Sequence, residues 1–402
     1  MIVLPKIQTQ RLAIKLTSKA EKLVKQGHPW VFENSILKIS KDGRAGDLAI
    51  LFDTRTDKVF AIGLYDPESP IRIKILSNTP AQINKDFFHL KIENAFKLRN
   101  QLLKTDTNSY RLIYGENDNF PGLIADVYDN ILVVKLYSTI WLPYLEVVLP
   151  LLINKSKTET MVLRLSRNVS KSKDHNFRDG DVLHGNLKNE VVFFKEHGVR
   201  FSANVIYGHK TGYFLDHREN RRKVGLLSQG ITVLDVFSYA GGFSVHALAG
   251  GANEVTSLDI SSQALQVAVQ NGKLNKHKGQ HKTIAIDAFV GLQQLIEEGK
   301  TYQIVVIDPP SFAKSAKEIP TAKNSYSRLA QLGAKLTSTG GLLVLASCSS
   351  RISSQTFFDI SEQNIVKAGR AFKTLEKTYH DIDHPITFPE GAYLKCGYYQ
   401  LN

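Results

Sequence analysis

From about residue 190 onward, strand-length apolar runs alternate with helical segments, and that alternation constrains the fold more than any other feature of the chain. The runs cover residues 232–237, Glu254–Asp259, 282–286, 303–307 and 341–346. Amphipathic patterns separate them, notably residues 261–274, where Ser261 stands as an N-cap. Apolar runs of this kind are covered on both faces, which predicts a doubly wound α/β domain on a parallel sheet. Ligands of such sheets sit beyond the carboxyl ends of the strands, so the residues that follow each run are the candidate site.

The first run leads into Asp235-Val236-Phe237-Ser238-Tyr239-Ala240-Gly241-Gly242. Small residues let the backbone approach a ligand, and the next helix presents its amides there. The glycine spacing is not the dinucleotide fingerprint, which argues against a nicotinamide oxidoreductase. The second run ends in Asp259, a carboxylate able to accept both hydroxyls of a ribose, and the third in Asp287-Ala288-Phe289, suited to an adenine amino group and ring. Each acidic residue alone reads best as a turn or helix cap. Three in register after three successive strands carry more weight.

The fourth run ends Asp308-Pro309-Pro310-Ser311-Phe312. Consecutive prolines fix φ and remove two donors, making a stiff loop that can aim the Asp308 carboxylate at a planar, amino-bearing group. The fifth ends Ser347-Cys348-Ser349. A lone cysteine is usually a small buried hydrophobe. At a strand mouth beside this loop, Cys348 reads instead as a nucleophile, provided its thiolate is favoured by helix amides or a basic neighbour such as Arg351 or Lys314. Cys396 lies in the terminal strand pattern and reads as structural.

The rest of the 402 residues divides in two. Residues 1–77 contain short strands, among them 46–53, 58–65 and the alternating Ile71-Arg72-Ile73-Lys74-Ile75, and predict a small β-barrel with Arg72 and Lys74 on a cationic outer face. Residues 78–189 open with an amphipathic helix at 85–102 and continue into a hairpin at 123–136, predicting an α+β domain. Residues 166–181 are polar and read as the flexible connection before the last domain, 190–402. The best apolar stretch, 141–153, is interrupted by Pro143, Glu146 and Pro150, so no membrane span is expected. Two cysteines exclude a disulfide scaffold and every all-cysteine metal site, no metal is expected, and a cytoplasmic location is expected. Fifty-one Lys and Arg against thirty-eight Asp and Glu give a net charge of +13, which suits a polyanion. Basic candidates for contacting it are Arg72 and Lys74, the segment Arg218-Glu219-Asn220-Arg221-Arg222, and the loop Lys276-His277-Lys278.

Taken in order, Asp235…Gly241-Gly242, Asp259, Asp287, Asp308-Pro309-Pro310 and Ser347-Cys348-Ser349 resemble a class I S-adenosylmethionine-dependent methyltransferase. More closely, the chain resembles the bacterial 23S ribosomal RNA cytosine-C5 methyltransferases that carry an N-terminal PUA domain. His28-Pro29-Trp30-Val31-Phe32 is similar to the opening of that PUA domain, and Gly115-Glu116 with Phe120-Pro121-Gly122-Leu123 to the central domain. Residues 208–218, Gly-His-Lys-Thr-Gly-Tyr-Phe-Leu-Asp-His-Arg, resemble the segment before the cofactor strand, and His384-Pro385 with Pro389-Glu390-Gly391, Tyr393, Leu394 and Lys395 the closing hairpin.

The resemblance implies a Rossmann-like seven-stranded sheet whose last strand is antiparallel. It implies S-adenosylmethionine held by Lys210, Phe214 and Asp216 of the preceding segment, by Asp235, Phe237, Ala240, Gly241 and Gly242 around the methionine moiety, by Asp259 and Ile260 at the ribose, by Asp287 and Ala288 at the adenine, and by Asp308 and Pro309. It makes Cys348 the nucleophile, with Asp308 on the N3/N4 edge of a cytosine, and the partner 23S ribosomal RNA, protein-free or an early precursor. The oligomeric state, monomer or homodimer, stays open. Two alternatives remain at this level: methylation of an exocyclic purine amine (N2 of guanine or N6 of adenine), which needs no nucleophile, and a non-catalytic RNA-binding assembly factor.

Overall fold

The computed structural model describes residues 4–402. The chain separates into two compact units. One runs through Lys195 and adds Ala203–Leu215 and Ile382–Pro389; the other comprises Glu196–Ser202, Asp216–Asp381 and Glu390–Asn402.

In the first unit, six short strands between Arg11 and Ser77 form one sheet, ordered second, sixth, fifth, fourth, first, third. Leu12, Ile14, Val31, Leu51, Ala61 and Ile73 fill its concave side. The barrel is open: Trp30–Phe32 and Ile36–Ile39 are its edges, and no ladder joins them among the described residues. The expected cationic face is absent. Lys74 is 7% exposed and its Nζ lies 2.5 Å from Asp66 Oδ2, while Arg72 pairs with Glu33 at 2.5 Å. Strict alternation fails because Ile73 to Ser77 are all buried, so Lys74 sits in the interior and must be neutralised there.

Beside it, helix Lys85–Arg99 and helix Leu145–Ser156 cover a five-stranded sheet running in sequence order from Ser109–Tyr114 to Val182–His184. The expected hairpin pairs Leu123–Tyr128 with Ile131–Leu136, Asp129 taking the left-handed conformation of its turn. Residues 166–181 are not a linker. They begin as helix Arg167–Ser170, bury Phe177 in the core, pair Asp179 with Arg164 at 2.9 Å, and lead directly into the last strand of this sheet. The segment is polar because its acidic groups satisfy buried partners.

The second unit carries a seven-stranded sheet: Thr232–Val236, Glu254–Asp259, Gln280–Ala285, Tyr302–Ile307, Thr337–Ser347, Phe372–Thr378 and Lys395–Leu401. The order is third, second, first, fourth, fifth, seventh, sixth, with the first five parallel and the seventh antiparallel to its neighbours. All five expected strands are present, and Ser261 caps helix Ser262–Lys273 by accepting from the Ala264 amide. No helix among the described residues is long and apolar enough to cross a membrane.

Candidate active site

The turn after the first strand is built under backbone strain. Phe237 (φ 62°), Tyr239 (φ 47°) and Gly241 (φ 78°) are left-handed, and two of the three are not glycine. A Cβ on Gly241 would stand 2.7 Å from that of Ala268, so this position requires glycine twice over. The strain is held by outside contacts. The Tyr239 amide donates to Asp259 Oδ2 at 2.9 Å, the Ser238 amide to the Leu258 carbonyl at 3.1 Å, and Asn271 Nδ2 to the buried Ala240 carbonyl at 3.0 Å. Gly242 then opens helix Gly242–Ala249.

Asp235 anchors that helix: its Oδ2 accepts from the Ser244 amide at 2.9 Å and hydroxyl at 2.6 Å. Its Oδ1 and the Ser238 Oγ are buried with no protein partner. Burial pushes the Asp235 carboxyl up to about 7, despite the Ser244 donors and with Asp308 and Asp259 adding repulsion. Asp259 Oδ1 takes the Ser261 amide at 2.8 Å, so each of its oxygens is fixed by one backbone donor and keeps a lone pair for a hydroxyl. Ile260 beside it is 74% exposed, an apolar side chain left open at the strand mouth. Asp287 does cap its helix, Oδ1 accepting from the Phe289 and Val290 amides, with Ala288 buried behind it. Cap and ligand readings are compatible here, because Oδ2 is not used by the cap. A Cβ-free cradle, orphaned buried oxygens and a carboxylate with both oxygens oriented by backbone amides fit S-adenosylmethionine.

The other side of the mouth brings the proline loop and the cysteine together. The Cys348 thiol donates to the carbonyl of buried Pro309 at 3.7 Å. Asp308, about a quarter exposed, has Oδ1 3.3 Å from His217 Nε2. Burial alone would lower the His217 pKa, but the Asp308 carboxylate, helped by Asp216, holds it above its ordinary value. Asn220 lies on the far side of the ring, Nδ2 3.1 Å from His217 Nδ1, while its Oδ1 accepts from Thr378 at 2.6 Å and Tyr398 at 2.9 Å. Two hydroxyls on that oxygen orient the amide, so the neutral imidazole carries its proton on Nε2, facing Asp308. Sequence reasoning passed over His217. The signal was present in Asp216-His217-Arg218, but its partner Asp308 is ninety-one positions later (308 − 217).

The remaining expected site residues separate. Asp216 belongs to the second unit and accepts from the Tyr393 hydroxyl at 2.7 Å. Lys210 and Phe214 belong to the first, the Lys210 ammonium lying 4.9 Å from the Phe214 ring centroid. Arg351 and Lys314 are exposed, whereas Lys395 is a fully buried cation opposite Ser347 in the ladder. The expected RNA segment 218–222 is also structural. Arg218 (0% exposed) pairs with Asp381 at 2.7 Å, Arg221 (3%) forks onto buried Glu196 at 2.6 and 2.9 Å, and Arg222 pairs with Glu219. Lys276 and Lys278 do face solvent.

Known proteins point the same way. Residues 111–381 match the family model of S-adenosylmethionine-dependent methyltransferases, and residues 14–78 that of a PUA-like domain. A ribosomal RNA large subunit methyltransferase of Deinococcus radiodurans is 40% identical, with 99% of each chain covered. Ribosomal RNA large subunit methyltransferase I of Vibrio parahaemolyticus is 34% identical over 95% of this chain and 98% of that one; its Escherichia coli counterpart is 33% identical over 94% and 97%. In fold, the chain is similar to a methyltransferase solved with S-adenosylhomocysteine (SMU.776; TM-score 0.82, 21% identity, 98% of this chain and all of that one) and to a methyltransferase from Streptococcus mutans (TM-score 0.81, 21% identity, 96% and 99%). The chain therefore belongs to the S-adenosylmethionine-dependent, PUA-domain-bearing family of large-subunit ribosomal RNA methyltransferases.

Proposed function

We propose that the protein methylates C5 of a cytosine in 23S ribosomal RNA, with Cys348 as nucleophile and Asp308 as the group that holds the base. The observation that carries this reading is the contact of Cys348 with Pro309, which sets a thiol beside the Asp308-Pro309-Pro310 loop at the mouth of adjacent parallel strands. Gly241, Gly242, Asp235 and Asp259 would hold S-adenosylmethionine, with Ile260, Asp287 and Ala288 at its adenosine end, Phe237, Ala240 and Pro309 lining it, and Asp216 before the first strand. Bound there, the cofactor supplies an electrophilic methyl on a sulfonium.

Cytosine C5 is a poor nucleophile until C6 is saturated. The Cys348 thiolate adds to C6; the electron pair of the C5–C6 bond moves through C4 to N3, which takes a proton passed from His217 through the Asp308 carboxyl. C5 is then the nucleophilic end of an enamine. As C5 takes the methyl, the methyl–sulfur bond breaks and N3 returns its proton to Asp308; loss of the C5 proton to a base then rebuilds the C5–C6 double bond and expels the Cys348 thiolate. Asp308, backed by His217, also accepts from the N4 amino group.

The base must leave its stack to reach Cys348, which favours protein-free RNA or an early precursor as substrate. Lys276 and Lys278 remain candidates for phosphate contact, with working domains at residues 1–77, 78–189 and 190–402. The test is purified protein with labelled S-adenosylmethionine and unmodified large-subunit RNA, followed by nucleoside analysis. Label in 5-methylcytosine is expected; label in a methylated purine would overturn the carbon chemistry.

A further inference from the structure

Lys395 is fully buried on the seventh strand, directly opposite Ser347 in the ladder. Lysine is rarely buried without a carboxylate partner. This ammonium has none among the described residues: it donates to the carbonyls of Ser349, Ile352 (2.6 Å) and Tyr393 (3.1 Å). Two of those carbonyls belong to the turn that immediately follows Cys348. The cage thus joins a positive charge, uncompensated by any carboxylate, to the backbone that aims the thiol.

We propose that Lys395 is a positioning residue for Cys348 and the counter-charge that favours its thiolate. This rests on the reading of Cys348 as nucleophile. Tyr326 from helix Ile319–Leu336, whose hydroxyl meets Ser347 Oγ at 2.9 Å, and Lys395 both act electrostatically on Cys348, and the contact of the thiol with the Pro309 carbonyl brings it beside Asp308, which has His217 behind it. Tyr326 is neutral, burial pushing its phenol far up, and the Asp308 carboxylate opposes a second anion. Among these groups, Lys395 supplies the favourable charge, held on the carbonyls of the turn that follows the thiol. Burial brings the lysine down to about 8 and the Cys348 charge acts to raise it again, so ammonium and thiolate stabilise each other.

The experiment is the pH dependence of Cys348 alkylation by iodoacetamide in the full-length protein, read by peptide mass spectrometry. Cys396 is separated by its peptide and by burial, which drives its thiol far above the ordinary range. The wild-type midpoint is expected below the ordinary thiol value of about 8.5. Lys395→Met should raise it by roughly one unit, a tenfold smaller thiolate fraction at neutral pH, and Lys395→Arg should restore most of the shift. A wild-type midpoint at or above about 8.5 overturns the proposal even if Lys395→Met does not fold. An unchanged midpoint in a folded Lys395→Met protein overturns it too. Activity of Cys348→Ala is a separate readout: normal turnover there removes the covalent mechanism while leaving the alkylation result standing.

Discussion

The two sides of the methyltransferase strand mouth are built on different principles. Under the first three strands, the carboxylates of Asp235, Asp259 and Asp287 are tied to backbone amides no more than twenty residues away, at Ser244, Tyr239, Ser261, Phe289 and Val290. Under the fourth and fifth, Asp308 and Cys348 draw their electrostatic partners, His217 and Lys395, from opposite ends of the unit's sequence. The first side is a rigid cradle assembled from local turns. The second is a pair of side chains whose charged neighbours are supplied by tertiary structure. Substitutions on the first side should therefore change cofactor affinity, and those on the second should change chemistry and its pH dependence.

The largest expected effect tests the second side. Cys348→Ala should lower methyl transfer by about 10³-fold or more, because the proposed addition to C6 needs its thiol. Calorimetric binding of S-adenosylmethionine should stay near wild type. If binding falls together with transfer, the two sides are not functionally separate. Asp259→Ala is the reciprocal test. It removes the proposed ribose acceptor and unties the Tyr239 amide at a left-handed residue. Losing a hydrogen bond to a charged group costs about 1.5–3 kcal/mol, so affinity should drop roughly 10- to 100-fold. Saturating cofactor should recover most of the turnover; a kcat that stays low would place Asp259 in the chemistry instead.

Gly241→Ala sharpens the claim that the cradle is rigid. The left-handed φ of 78° and the 2.7 Å approach to Ala268 both penalise a side chain. The conformational part alone is about 1–2 kcal/mol. A lowered Tm with weakened cofactor binding is expected, whereas an unchanged Tm would mean that the turn relaxes freely.

These differences also explain what could be read from the chain. Strand positions, the Ser261 cap and the order of acidic residues depend on local pattern, and they were legible. Four of the basic candidates were not. Arg72, Lys74, Arg218 and Arg221 look like surface charge in sequence, yet Glu33, Asp66, Asp381 and Glu196 neutralise them. Glu196 shows how firmly: burial would raise its carboxyl, but Arg221, His246 and Arg218 hold it at about 2. Nothing periodic links residue 196 to 221, or 217 to 308. Residues 166–181 were misread for the same reason, since a polar segment that satisfies buried donors has the composition of a linker.

The smallest effect probes His217, and its sign follows from the direction of the shift. The imidazole is held above its ordinary value of about 6.5, so its charged contact with Asp308 contributes fully below that pH. The contribution is lost as pH climbs through the higher value of the folded protein. His217→Gln keeps a hydrogen-bond donor near Asp308 but removes the titration. The Tm gap between wild type and His217→Gln should therefore be widest below the ordinary imidazole value of about 6.5 and should narrow as pH rises above it, when both are measured with bound cofactor. In the variant, the pH profile of methyl transfer should lose the limb that follows His217 while the rate at its optimum falls only modestly. A Tm gap that is constant across this range, with an unchanged pH profile, would reduce His217 to packing against Phe243 and would leave Asp308 without a tertiary partner that tunes it.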